Sequence, residues 1–170
     1  SVISIVQAII EIRKHGIHHR IGNPESFLSN INKLSMQMAS NTNRSGNKKE
    51  AKTVFRKMRK LLLRIAQHGE RYVQKLDEYW VESDLTEAHK NRISKKLTNT
   101  INLVPDVIHQ AYERIIGGRM VNNKDKILSI HEAHAEVYNR GKSGAQVEFG
   151  LQLVLGESID GIITHCELLN

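Results

Sequence analysis

The residues whose types could support catalysis lie in the last third of the chain. Metal-dependent phosphoryl transfer needs two or three carboxylates converging from separate strands, so that two metal ions sit about 4 Å apart. The acids available there are Asp125, Glu132, Glu136, Glu148, Glu157, Asp160 and Glu167. Asp160 heads an Asp-Gly turn, Asp125 falls in a loop, and Glu148 lies on the polar face of a strand, toward a cleft or toward solvent. No strand-end Asp presents itself, so no catalytic residue is assigned. The run His131-Glu132-Ala133-His134-Ala135-Glu136 has the residue types of a metal site without the spacing. Its two His are three apart rather than the four of H-E-x-x-H, and an extended segment would point them to opposite faces. His15, His18 and His19 form a second cluster, read as a polar connector. No metal ligand is assigned. The single Cys166 excludes an internal disulfide and a multi-Cys zinc site, and makes a reducing cytoplasm the default.

Binding chemistry is written more densely. The chain carries 25 Lys and Arg against 18 Asp and Glu, a formal charge of +7. From Asn41 to Lys75 eleven basic residues face two acidic ones, a net of +9, so more than the whole surplus sits in one loop and helix. Lys48, Lys49, Lys52, Arg56, Lys57 and Lys60 are the candidate contacts. Two readings compete: a solvated helix face, or a face that tracks phosphates and binds DNA with strong salt dependence. Almost no aromatics interleave, which argues against single-strand stacking. Arg140 and Lys142, in a loop before a long strand, are further candidate phosphate contacts, with a solubilising loop as the equal alternative.

The elements that would position these residues are mostly helical. Apolar residues at 2, 5, 6, 9 and 12 predict a first helix ending at Gly16. Asn23-Pro24 starts a second, with Phe27, Leu28, Ile31, Leu34 and Met38 on one face, and a polar loop follows from Ala39 to Lys49. A third, longer helix has Val54, Met58, Leu61, Leu62, Ile65, Val73 and Leu76 on its inner stripe. Ser83 to Glu87 resembles a capping box for the fourth. There Leu97, Ile101, Val104, Ile108, Ala111 and Ile115 step by fours and threes, a seam suited to a helical hairpin, which Pro105 should bend or divide. After Gly117-Gly118 the period changes to two. KILSI (126–130) and AEVY (135–138) are short strand candidates, and a half-buried strand is predicted over 146–155, returning as IITHCEL (162–168) to make a hairpin. No apolar run approaches the roughly 20 residues of a membrane span. The chain opens without a cap and stops on a strand-like run, which reads as a piece of something longer.

The segment KDKILSIHEAHAEVYNRGKSGAQVEFGLQLVLGESIDGIITHCEL resembles a segment of bacterial DDE insertion-sequence transposases, written approximately K-I-L-S-x-x-E-P-H-x-x-x-I-x-R-G-K-x-G-x-x-V-E-F-G. HGIHHRIGNPESFLSNINKLSMQM, HGERY (68–72) and IHQAYERIIGGRMVNNKDK resemble the helical region that precedes it in one branch. The likeness spans nearly the whole chain and is strongest at RGK (140–142), at Glu148, Phe149 and Gly150, and in the hairpin at 160–168. Ala133 stands where the family has Pro, and Leu151 and Gln152 where it usually has a basic strand position.

The resemblance implies an internal fragment of a DDE transposase. The expected fold is α+β, with a helical region over 1–123 and a partial RNase H-like β-region over 124–170. The first catalytic Asp of such enzymes lies before the helical region and the other two acids after the hairpin, so none falls in this chain. The parent would bind transposon-end DNA and use Mg²⁺ for the strand cleavage and transfer of DNA transposition, in the bacterial cytoplasm at the nucleoid; this chain alone is expected to be inert. The alternative is a non-catalytic DNA-binding protein derived from a transposase, or a helical module dimerising through the Leu97–Ile115 seam.

Overall fold

Gly16 stops the first helix with a left-handed backbone, φ +81°, a conformation that costs a residue with a Cβ far more. Helix α1, Val2–Lys14, ends two residues earlier. The computed structural model describes residues 2–19, 23–42, 47–122, 126–129, 136–142, 145–150 and 152–169, with side chains left aside over 136–149 and at 169. The chain divides into two units, Ser1–Val121 and Asn122–Asn170.

The first unit is helical. In α1 the side chains of Ile5, Val6, Ile9 and Ile12 are fully buried, which makes it the innermost helix, packed by α2 (Glu25–Thr42), α3 (Lys48–Tyr79) and α4 (Glu87–Asn102). Asn23 caps α2, its Oδ1 accepting from Glu25 N at 3.0 Å. The polar loop predicted over 39–49 is shorter than expected, because α2 runs on to Thr42. Thr42 Oγ1 donates to Met38 O at 2.9 Å and Asn41 Nδ2 to Gln37 O at 2.9 Å, so polar side chains fold back onto helix carbonyls instead of breaking the turn.

Asn47 then caps α3, its Oδ1 accepting from Lys49 N and Glu50 N. The inner stripe of α3 is wider than the apolar period indicated: Ala51, Phe55, Ala66, Gly69 and Tyr72 are buried besides Val54, Leu62, Ile65 and Leu76. At Gly69 a Cβ would fall 2.9 Å from Ile101 Cδ1 and 3.1 Å from Ile5 Cγ2, so a bare backbone is what lets α3 approach α1 and α4 there. The Tyr72 hydroxyl is clamped to the connector, donating to His19 O and accepting from His19 N, both at 3.3 Å.

A short 3₁₀ turn, Trp80–Glu82, leads to α4. The cap of α4 is Thr86, whose Oγ1 accepts from His89 N, while Ser83 closes the preceding turn on Trp80 O. The capping box is therefore only half made: the third residue after the cap is His89, whose ring reaches Glu11 of α1 instead. Pro105 divides the last helix as expected. Leu103 separates α4 from α5, Val104–Tyr112, which closes in a π-turn, Glu113–Gly117, with Gly118 at φ +68°.

The second unit is antiparallel β. Strand β1 (Glu136–Lys142) pairs with β2 (Ala145–Gly150), and β3 (Gln152–Glu157) pairs with β4 (Ile163–Leu169). They make two separate two-stranded sheets. The fold is thus mostly helical with small antiparallel sheets, and three expectations need correction. The single long strand over 146–155 is two strands with different partners, the change falling just after Gly150, where no side chain holds the pleat. KILSI is not a strand over 126–129; Ile130, like Ala135 of AEVY, lies outside the described residues. The predicted half-burial is absent in β3, where Leu153 is 49% and Leu155 52% exposed beside Val154 at 40%. Alternation sends side chains to opposite faces, but within this hairpin neither face carries a covering layer.

Candidate nucleic-acid interface

The stripe that α3 buries fixes where its cations go. With Val54, Phe55, Leu62, Ile65 and Leu76 inward, the helical period turns Lys48, Lys49, Arg56, Lys57 and Lys60 to the exposed side, with Lys52 half-buried at the edge. Arg59, Arg64 and Arg71 extend the same face. Among the described residues none of these nine forms an ion pair; of the basic run on α3 only Lys75 does, to Glu78 at 2.9 Å. Three acids of the helical unit pair away from this face, Glu11 with His89 and Arg92, Asp77 with Lys90, and Asp84 with His15, while Glu50 and Glu70 stand exposed on α3 itself.

One edge of this face is concave. Lys57, Lys60 and Arg64, at i, i+3 and i+7, form one wall of a groove of about 410 Å³ whose other wall is Asn30, Lys33 and Gln37 of α2. Leu34 and Leu61 also line it. Lys33, Asn30, Gln37 and Arg64 were not singled out from sequence. The signal was present, since 30, 33 and 37 repeat the spacing of 57, 60 and 64, but only the side-by-side packing of two helices turns it into a groove. Beyond Arg64, whose guanidinium lies 5.8 Å over the Phe27 ring, stands His68. Its Nδ1 is buried without a partner among the described residues, as is Nε2 of the facing His19, their rings 6.5 Å apart. Burial first, then the charges of Arg64 and Arg71 and the neighbouring His19, push the His68 imidazole below its usual 6.5.

The opposite edge of α3 is apolar. Phe55, Met58 and Leu62, with Arg59 at the side, meet Ile108, Ala111 and Ile115 around a cleft of about 270 Å³. The seam from Leu97 to Ile115 thus faces the chain's own interior: Leu97 and Val104 are buried, and Ile101 and Ile108 pack on the same core.

The histidine connector is polar, as its sequence indicated. His15 Nδ1 lies 2.6 Å from Asp84 Oδ1, and this contact holds the Asp84 carboxyl below its usual range. The rings of His15 and His89 meet edge to face at 5.4 Å.

Arg140 and Lys142 belong to β1 rather than to a loop, because the ladder with β2 continues to the pair Lys142 and Ala145. Glu148, Phe149 and Gly150 sit on β2 opposite Tyr138, Val137 and Glu136. The basic face of α3 and these strand positions fall in different units. The segment 131–135, with its two His, and Asp125 lie outside the described residues. Among the described residues no three His, Cys, Asp or Glu side chains gather in a way that would hold a metal ion. The Mg²⁺ that the resemblance assigns to the parent enzyme therefore finds no donor set among them.

The chain matches no protein-family model, no curated protein and no solved structure. No helix among the described residues is long and apolar enough to cross a membrane.

Proposed function

We propose that this chain is part of a DDE-type insertion-sequence transposase and that its own share of the work is to bind DNA through the exposed face of α3. The observation that carries the DNA-binding reading is the row of cations from Lys48 to Arg64 with no ion pair among the described residues. Unpaired surface cations attract phosphate and release its condensed counterions, which gives affinity without sequence readout. The transposase reading rests on the resemblance at RGK (140–142), EFG (148–150) and the hairpin, and the antiparallel strands β1 to β4 are compatible with a contribution to an RNase H-like sheet. In the parent enzyme, acting on transposon ends in a bacterial cytoplasm, Mg²⁺ would supply the cleavage and transfer chemistry. No residue described here takes a catalytic part.

The test is fluorescence anisotropy with a 30-base-pair duplex between 50 and 200 mM salt. About six engaged cations on and beside this face give a slope of log K against log salt of about −5. Absent or salt-independent binding would contradict the reading. Strand transfer by the purified chain in Mg²⁺ would contradict its catalytic silence. In-frame coding sequence on both sides, with a strand ending in Asp upstream and an Asp and a Glu downstream, would support the transposase assignment; stop codons there would leave binding as the chain's whole function.

A further inference from the structure

We infer that the groove between α2 and α3 is the seat of one DNA strand's phosphodiester backbone, with Lys33, Lys57, Lys60 and Arg64 as its phosphate ligands. This rests on the DNA-binding reading and makes it specific: the interface is a two-helix groove rather than the whole outer face of α3.

Three observations converge on it. First, the cations come from both walls, Lys33 from α2 and the other three from α3, so a strand lying in the groove is held from two sides. Cations on one convex face would each meet a phosphate separately. Second, the length fits. Lys57 to Arg64 spans seven helical residues, about 10.5 Å, which is the axial rise of about three phosphates on one strand of duplex DNA. Third, the lining selects backbone over bases. It holds no aromatic ring on which a base could stack, while Asn30 and Gln37, one turn either side of Lys33, add uncharged donors suited to phosphate and sugar oxygens. Leu34 and Leu61 line the groove as low-dielectric surface beneath its charged rim, which concentrates the field of the four cations.

The rest of the cationic face supplies the comparison. Lys48, Lys49, Lys52 and Arg59 carry the same charge and lie outside the groove. The experiment compares three full-length chains on the same 30-base-pair duplex: wild type, K33Q/K57Q/K60Q/R64Q, and K48Q/K49Q/K52Q/R59Q. The groove variant is expected to lose about 3 to 4 units of salt slope, and the outer-row variant, whose cations meet flanking phosphates only in part, about 1 to 2. Because Arg64 packs over Phe27, the triple variant K33Q/K57Q/K60Q, which leaves that contact in place, is measured alongside and should lose about 3. If the wild type binds and the groove variants keep its slope, or if both quadruple variants lose slope equally, the groove is not the seat although the DNA-binding reading stands. If the wild type does not bind, both fail together.

Discussion

Ile9 of α1 is fully buried, whereas Leu155 of β3, a side chain of the same composition, is 52% exposed. The same contrast runs through the two units. Ile5, Ile12, Ile65, Leu76 and Leu97 are almost wholly withdrawn from water, while Leu153, Ile163 and Leu168 on the second hairpin each keep about half of their surface or more. A helix can bury its stripe against two or three other helices of its own unit. A two-stranded hairpin satisfies its backbone across one ladder and has no second layer on which to lay its side chains. Apolar content therefore predicts burial only where the topology supplies a cover, and stability should follow cover rather than composition.

The sharpest break between the units should appear in amide exchange. Amides of α1 and of α3 around Ile65–Leu76 are expected to exchange on the order of 10³-fold more slowly than those of β3 and β4. Equal protection in both units would mean that the hairpins gain a cover in solution. Truncation should separate them next. Leu97→Ala, in a core position 1% exposed, is expected to cost about 2–5 kcal/mol in urea unfolding, and Leu155→Ala about 0.5 kcal/mol or less. Similar costs would contradict the contrast.

Overpacking gives a smaller effect. Gly69→Val places a branched side chain where Ile101 and Ile5 already approach within contact distance, and should cost about 1–3 kcal/mol. At Gly156, on β3, a Cβ would fall 3.0 Å from His165 Cβ, which its backbone holds, so Gly156→Ala needs a small shift of the exposed strand and should cost less than Gly69→Val.

The smallest effect is a pH dependence confined to the helical unit. His68 titrates below 6.5 in the folded chain, because burial, Arg64, Arg71 and His19 oppose its charge. The unfolded chain therefore takes up a proton first as pH falls. The stability that neutral His68 confers is whole above 6.5 and is lost progressively as pH drops from 6.5 through the lowered value. Thermal melts between pH 7.5 and 5 should show that decline in the wild type and a flatter profile in His68→Gln; identical profiles would remove His68 from the account.

What was legible in the sequence follows the same physical divide. Helix positions were readable because stripe and stop coincide: Gly16 with its positive φ, Asn23 with its cap bond, and Pro105 at the start of α5. Thr42 was not, since its hydroxyl continues a helix by bonding back to a carbonyl, whereas the same residue type elsewhere caps one, as Thr86 does. The strand residues were found, but alternation carries no information about partner choice. Period two is identical for one long strand over 146–155 and for two short ones exchanging partners near Gly150. For the site, Lys57 and Lys60 were visible as local charge density. Lys33 was not, because its weight comes from facing them across a groove that only tertiary packing creates.

The most direct test of the central claim, that DNA lies on this face of α3 and in its groove, is lysine footprinting. The chain would be acetylated with and without an excess of the 30-base-pair duplex, and each lysine's modification read by mass spectrometry. The account predicts strong protection of Lys33, Lys57 and Lys60, partial protection of Lys48 and Lys49, and none of the exposed Lys95 and Lys96 on α4. Protection of Lys95 and Lys96 with Lys33 and Lys57 left reactive would contradict it.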